Sequence, residues 1–248
     1  MAYPYVDWRD QILIRSTEFA HLPLPPASLR FRVHGDLDLF SFMETGRECS
    51  GDIRCALARV GKDIDCFEDV LDFGCGCGRI LMWFEPVAKA SRFYGSDIDA
   101  EAINWSRRNI QSVEFQTNAQ LPPLPYQNDK FDFVYAISIF THMSEDYQFY
   151  WLEEIKRVVR TGGHVILTVR GDFHRDRMSP QEFHRLQQVG FLFEQQPESV
   201  QGIFPDYYQR ATQSREYILS TYSRYFEVLE YVPNGLDHCQ DIVVLQKN

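Results

Sequence analysis

The chain has 248 residues, of which 44% are hydrophobic and 15% aromatic, which is enough apolar material for a large core. Its net charge of −10 argues against a nucleic-acid backbone or an anionic membrane as the main partner. The first residues do not resemble a secretion signal, and no run of about 20 apolar residues occurs, so we expect a cytoplasmic protein without a membrane span. The irregular spacing of the six cysteines predicts reduced thiols.

The first part of the chain, residues 1–65, differs in composition from the rest and is predicted to be an N-terminal extension or cap. Its proline-rich stretch, 21–35, is expected to be a crossing loop because proline lacks the N–H that a helix interior needs. Residues 44–61 carry apolar side chains near helical spacing and end at Gly61, which predicts a helix before the main sheet.

Strands and helices alternate through residues 66–248, which we assign to one domain. Strands are predicted at 69–73, 92–97, 112–116, 130–137, 164–170, 226–232 and 241–247. Helices are predicted to begin near 79 and to span 100–110 and 145–160, the last with Ser144 as its cap and Thr161-Gly162-Gly163 as its end. This alternation is typical of an α/β fold with a doubly wound, mostly parallel seven-stranded sheet.

The end of the chain departs from this alternation. The last two predicted strands are joined by a connection around Asn234-Gly235 that is too short for a parallel crossover, so we expect an antiparallel last strand. Before them lies an insertion, about 171–224, that is rich in aromatic residues. We interpret this insertion as a lid.

The clearest motif is Asp72-Phe73-Gly74-Cys75-Gly76-Cys77-Gly78, which follows a predicted strand and precedes a predicted helix. Alternate glycines permit a tight turn and let a ligand approach the backbone at the positive end of the helix. The next strand ends at Asp97, where a carboxylate can accept both hydroxyls of a ribose. Dinucleotide dehydrogenases use G-x-G-x-x-G, so the G-x-G-x-G spacing makes a dehydrogenase the weaker hypothesis.

Several segments resemble the Rossmann-like (class I) S-adenosylmethionine-dependent methyltransferases. VLDFGCGCGRIL (70–81), YGSDIDAEAI (94–103) and FDFVYAISIFTHM (131–143) resemble their first, second and fourth motifs, and EEIKRVVRTGG (153–163) resembles the helix and turn before their fifth strand. The resemblance covers about residues 66–170 and 224–248. It implies S-adenosyl-L-methionine as the cofactor and S-adenosyl-L-homocysteine as its product.

The resemblance also implies roles for individual residues. The cofactor-binding set is Asp72, Gly74, Cys75, Gly76, Gly78, Asp97, Ile98, Asn118, Ala119 and Ile137. Within this set, the glycines are implied to lie close to the methionine part of the cofactor. Asp72 is implied to hold the turn and the ammonium end of the cofactor, and Asp97 to bind its ribose. Ile98 lies against the adenine, and Ile137 offers backbone contacts to the methionine end. Asn118 stands where the family often has Asp and can still bond the adenine edge.

Metal ligands are not expected in this chain. Cys75 and Cys77 lie in a turn that needs small residues and lack a second close pair, while His174 and His184 have no Cys or Glu at ligand spacing.

The sequence indicates less about the methyl acceptor than about the cofactor, because the cofactor supplies the reactive group. If the nucleophile is a hydroxyl, His142 is the first candidate for the general base, since it follows the fourth strand; a packing role is its alternative. His34 and His174 are alternative bases, and Tyr207 and Tyr208 are candidates for lining the acceptor pocket.

We therefore expect a methyltransferase for a small or medium-sized acceptor, with a hydroxyl oxygen of a sugar, lipid-like precursor or secondary metabolite favoured. The fourth motif lacks the signature of nucleic-acid amino methylation, so no nucleic-acid partner is expected. The alternative is a catalytically silent module that binds S-adenosylmethionine and serves in interaction or regulation. The sequence leaves the oligomeric state open.

Overall fold

The computed structural model describes residues 3–84, 90–171, 178–195 and 209–248. In these ranges the strands are β1 (Asp69–Phe73), β2 (Arg92–Asp97), β3 (Val113–Thr117), β4 (Phe131–Ala136), β5 (Val159–Val169), β6 (Phe191–Glu194), β7 (Arg210–Gln213), β8 (Glu227–Leu236) and β9 (Gln240–Gln246). The helices are α1 (Tyr3–Leu13), α2 (Ala27–His34), α3 (Leu39–Arg59), α4 (Leu81–Phe84), α5 (Ala100–Asn109), α6 (Glu145–Val158), α7 (Pro180–Val189) and α8 (Arg215–Tyr222).

Seven of these strands form one sheet in the order β3-β2-β1-β4-β5-β9-β8. The first five run parallel to one another, whereas β9 pairs antiparallel with both β5 and β8. The predicted fold class is therefore confirmed, including the antiparallel last strand. The remaining two strands, β6 and β7, pair antiparallel as a separate hairpin.

The sheet buries both of its faces because helices cover each side. On β1, Val70 packs with Ile53 of α3 and Ile103 of α5 in one apolar cluster. The next residue, Leu71, points to the opposite face and packs with Trp151 of α6 in a second cluster. Because packed side chains fill both faces of the sheet, a ligand can bind only at the ends of the strands.

The N-terminal extension is more helical than its sequence suggests. The proline-rich stretch 21–35, expected to be a loop, contains α2, which begins directly after Pro26. Prolines that precede a helix do not break it, because the first N–H groups of a helix have no partner within it. The helix predicted at 44–61 begins earlier, at Leu39, because Asp38 accepts a hydrogen bond from the Ser41 N–H.

Two turns differ from the sequence-based expectation. Helix α6 ends at Val158, so Thr161-Gly162-Gly163 belongs to β5, and the Ser144 side chain makes no capping hydrogen bond. The final hairpin turns after Leu236, not at Asn234-Gly235. Asn234 donates its N–H to the Asp241 carboxylate at 2.7 Å, and the strand register shifts between Val232 and Leu236.

The described part of the insertion 171–224 contains α7, the β6–β7 hairpin and α8. Its last helix packs in the core, where Ile218 and Tyr222 are fully buried. Within the residues that the structure describes, no helix combines the length and apolarity needed to span a bilayer.

Candidate functional site

A cavity of about 580 Å³ opens where β1, β2 and β4 end, at the carboxyl edge of the sheet. This edge is where open α/β sheets bind ligands, and the volume suits a small molecule. The cavity brings together most of the residues predicted from the sequence: Asp72, Gly74, Cys75, Gly76, Asp97, Ile98, Asn118, Ala119, Ile137 and His142.

The glycine turn after β1 forms the floor of this cavity. Gly74 and Gly76 have φ angles of +82° and +53°, which L side chains rarely adopt. A Cβ atom on Gly76 would lie 2.6 Å from the Val33 side chain, and one on Gly74 would overlap Ile139. The Gly74 N–H donates to the Ser96 carbonyl at 2.7 Å, so the turn is fixed to the end of β2.

Asp97 ends β2 and joins the turn to the next helix. Its carboxylate accepts the Gly76 N–H at 2.7 Å and the Asp99 N–H at 2.8 Å. Burial raises the pKa of Asp97, and these backbone N–H groups work against that rise. A carboxylate offers about four lone-pair positions, so two backbone bonds leave acceptor capacity for the hydroxyls of a ligand.

Asp72 lies near the end of β1 and is 2% exposed. Burial raises its pKa to about 8, against the opposing effect of the neighbouring Tyr135 hydroxyl, and the nearby Asp97 charge adds to the rise. A positive ligand group beside Asp72 would favour its ionised form. The carboxyl group is therefore suited to an ammonium group.

The predicted adenine side of the cavity is formed by β2 and β3. Ile98 is 44% exposed, so its side chain presents an apolar surface to the cavity. The Asn118 side chain accepts a hydrogen bond from Ser96 Oγ at 2.7 Å and donates one to the Ala119 carbonyl at 2.8 Å. These contacts hold the Asn118 amide in one orientation beside the cavity.

His142 lies at the end of the turn Phe140–His142 that follows β4. Its Nδ1 is 2.8 Å from the Gln209 carbonyl oxygen. Because a carbonyl only accepts, Nδ1 carries the hydrogen and Nε2 carries the lone pair. Burial lowers the pKa of His142 to about 4, partly opposed by the Gln209 carbonyl and reinforced by the charge of Arg170. The imidazole is thus neutral at pH 7.

Asp99 is the N-cap of α5. Its side chain accepts the N–H groups of Glu101 and Ala102 at the start of α5. The carboxylate also pairs with Arg32 at 2.8 Å, and Arg32 pairs with Glu101 at the same distance. Arg32 therefore connects α2 to the rim of the cavity.

Sequence reasoning missed the residues that other helices bring to the cavity. Arg32 and Val33 arrive from α2, and Tyr147 and Trp151 from α6. The sequence placed the two aromatic residues only within the helix predicted at 145–160. Their spacing of four did place them on one side of α6, which is the signal that could have indicated the site.

Some predicted residues lie elsewhere. Gly78 does not line the cavity but packs against Ile110. His34 does not line it either: its ring hydrogen-bonds to Arg79 and Ser41. The remaining candidates, His174, Tyr207 and Tyr208, lie outside the described residues.

Comparison with known sequences identifies the central part of the chain. Residues 70–163 match the family described as a methyltransferase domain. Methyltransferase GfsG of Streptomyces halstedii is 29% identical over 117 residues, which are 44% of this chain and 41% of that protein. The chain thus matches about two fifths of the length of this curated relative.

Solved structures share the fold at lower identity. A SAM-dependent methyltransferase from Methanosarcina mazei has a TM-score of 0.54 and 19% identity, with 73% of this chain and 92% of that chain covered. Geranyl diphosphate C-methyltransferase from Streptomyces coelicolor, solved with Mg²⁺, geranyl diphosphate and S-adenosyl-L-homocysteine, has a TM-score of 0.51 and 10% identity, covering 73% of this chain and 71% of that one. The family match thus identifies a methyltransferase domain at residues 70–163, and the motifs and the sheet order resemble those of the Rossmann-like (class I) S-adenosylmethionine-dependent methyltransferases.

Proposed function

We propose that the protein transfers a methyl group from S-adenosylmethionine to a hydroxyl oxygen of a small or medium-sized acceptor, with His142 as the general base. The observation that carries this proposal is the position of His142. It lines the same cavity as the glycine turn, and its Nδ1 bond to Gln209 leaves the lone pair on Nε2.

The residues present fit the methyl donor. The glycine turn provides a cradle that a Cβ would fill, Asp97 retains acceptor capacity for the ribose, and Asp72 is suited to the ammonium. Ile98 and Asn118 would contact the adenine, and Ile137 the methionine end. When bound, S-adenosylmethionine supplies a methyl group on a sulfonium, whose leaving group is a neutral thioether.

The task left to the protein is to orient the acceptor and to take up its proton. A neutral imidazole with its lone pair on Nε2 can accept a hydroxyl proton, while the Gln209 carbonyl holds the protonated Nδ1 and opposes rotation of the ring. The Gln209 carbonyl would then stabilise the positive charge of the imidazolium on its Nδ1 side. Acceptor and methyl group must be held about 3–3.5 Å apart for transfer.

The size of the cavity supports an acceptor of modest size, because 580 Å³ must hold both the donor and the acceptor. We infer that the extension 1–65 caps the donor side, since α2 lines the cavity through Arg32 and Val33. We also infer that the insertion 171–224 forms a lid on the acceptor side, where its Gln209 contacts His142.

Donor binding is tested first, by thermal unfolding of the purified protein with S-adenosylmethionine, S-adenosylhomocysteine or NAD. A ligand at 100 times its dissociation constant adds about 2.7 kcal/mol to the free energy of unfolding. We expect stabilisation by the first two ligands only. Stabilisation by NAD alone would contradict the proposal.

Catalysis is tested by an acceptor screen with a labelled methyl donor, followed by His142→Asn. Asparagine keeps an N–H donor near the position of Nδ1 but removes Nε2, so turnover should fall about 100-fold or more while donor affinity is unchanged. His184→Asn, at an exposed histidine bonded to Gln188, is the matched control. Unaltered turnover in His142→Asn would indicate that His142 has only a packing role. Donor binding without transfer to any acceptor would support the catalytically silent module.

A further inference from the structure

The cavity contains an arginine that has no part in the proposed transfer of the methyl group. Arg79 directly follows the glycine turn and lines the cavity. No ion pair within the described ranges includes it, and its Nε is buried without a hydrogen-bond partner there. The other arginine of the cavity, Arg32, is already paired with Asp99 and Glu101. A buried guanidinium N–H without a partner is costly unless a ligand satisfies it.

We propose that Arg79 binds the carboxylate of the methyl donor, and that His34 and Ser41 of the N-terminal extension are the residues that position it. This inference rests on the proposed function and assigns the recognition of the donor's amino-acid end to a contact between the extension and the glycine turn.

The electrostatics of the cavity favour this assignment. Arg79 lies close enough to Asp72 to lower the pKa of that carboxyl group, although burial dominates its shift. The two side chains thus place a positive guanidinium and a carboxyl group, which a bound ammonium would ionise, at the same end of the cavity. The α-amino acid end of S-adenosylmethionine carries one charge of each sign, so it is complementary to this pair. A guanidinium also matches a carboxylate in geometry, with two parallel N–H groups.

The extension holds Arg79 from two sides. Arg79 Nη1 donates to His34 Nδ1 at 3.0 Å, because arginine has only donors. The protonated Nε2 of His34 then donates to Ser41 Oγ, 2.7 Å away at the start of α3. On the same helix, a Cβ on Gly46 would lie 2.7 Å from the Arg79 carbonyl oxygen and 3.0 Å from its Cγ. Gly46 therefore permits the close approach of α3 to Arg79.

His34 is consequently assigned a different role from the one expected from the sequence, where it was an alternative base. Burial and the charge of Arg79 lower its pKa, which keeps the ring neutral and able to accept from Arg79. The acidic groups Asp36, Asp38 and Asp237 act in the opposite direction. The ring also packs edge-on against Phe42, with 6.1 Å between centroids, which fixes its plane.

The test compares two ligands that differ by one group: S-adenosylmethionine and its decarboxylated form. Their affinities are measured by isothermal titration calorimetry for the wild type and for Arg79→Met. We expect the substitution to weaken binding of the intact donor about 10- to 100-fold, the range for a hydrogen bond to a charged group, and to leave the decarboxylated donor unaffected. Arg54→Met, at an exposed arginine of α3 that pairs with Asp63, is the matched control.

The positioning role is tested at His34. His34→Ala should lower the affinity for the intact donor several-fold and leave the affinity for the decarboxylated donor unchanged. His34→Asn should restore the affinity, because the asparagine Oδ1 can accept from Arg79 near the position of Nδ1. A general loss of packing would weaken both ligands and would not be rescued by asparagine.

The outcomes separate the two proposals. An equal loss of affinity for both ligands in Arg79→Met, or an unchanged affinity for the intact donor, would overturn the assignment of Arg79. Neither result would contradict the proposed methyl-donor site. Failure of the wild type to bind S-adenosylmethionine would overturn the proposed function and this inference with it.

Discussion

The two ends of β1 carry aspartates in opposite situations. At the amino end, Asp69 accepts hydrogen bonds from Arg92 and Lys130, with the shortest at 2.6 Å. Burial raises its pKa, but these partners outweigh burial and bring it down to about 2. At the carboxyl end, three residues along the same strand, burial raises the pKa of Asp72 to about 8.

This contrast separates structural from ligand-binding acids. Where cations of the chain neutralise a buried carboxylate, as at Asp69, the group contributes to stability. Where no such ion pair forms within the described residues, as at Asp72, ionisation of the group destabilises the free protein, and the proposed cationic ligand would supply the missing charge. The same residue type in the same strand is thus expected to serve two purposes, and substitutions at Asp72 and Asp69 can test the difference.

The largest effect is expected at Asp97. Asp97→Ala removes the proposed acceptor for the ribose and also the partner of the Gly76 and Asp99 N–H groups, so donor affinity should fall by more than about 100-fold. Calorimetric titration measures the affinity, and circular dichroism checks that the variant is folded. A folded variant with unchanged affinity would refute the ribose assignment.

The direct comparison uses Asp72→Asn and Asp69→Asn. Between pH 4 and about 8 the folded state with Asp72 binds more protons than the unfolded state, so wild-type stability falls as pH rises through this window. Asp72→Asn should remove that loss, raising the free energy of unfolding at pH 8 by the order of 2–5 kcal/mol while weakening donor binding. Denaturant titrations at several pH values measure the stability.

Asp69→Asn should lower the stability of the protein without weakening donor binding, the opposite of what is expected for Asp72→Asn. The pKa of Asp69 is lowered, so its contribution is complete above pH 4 and disappears as pH falls towards 2. The substitution should cost about 2 kcal/mol at pH 7 and leave donor affinity unchanged. If both variants lost stability and affinity alike, the distinction between the two ends of β1 would be wrong.

A smaller effect is expected for the glycine turn. Gly76→Ala places a Cβ in a left-handed conformation and 2.6 Å from Val33, so it should cost about 1–3 kcal/mol. Gly35→Ala is the matched control, since Gly35 has a φ of +80° and no atom within 4 Å of its added Cβ. Adding Val33→Ala to Gly76→Ala should bring its cost, measured by chemical denaturation, close to that of the control. An excess cost that Val33→Ala does not relieve would show that the contact with Val33 is not its cause.

Much of the donor site could be predicted from the sequence because it is built from consecutive elements. β1, the glycine turn and Asp97 at the end of β2 lie within 30 residues, and their register follows from strand alternation and glycine spacing. Strand boundaries agree within a residue or two for β1 to β4, where buried apolar runs are bounded by glycine or charge. The expected turn at Asn234-Gly235 was wrong because a local turn signal does not distinguish a bulge from a hairpin end.

The sequence by itself determined the fold class and the presence of a methyltransferase domain, since periodicity and the spacing of glycines and acids are local features that can be recognised without knowledge of packing. Only the tertiary structure decided which distant helices close the cavity. Arg79 meets His34 across 45 residues, and His142 meets Gln209 across 67. Such contacts depend on how α2, α3 and the insertion pack on the sheet, and no periodic pattern in the chain records that packing.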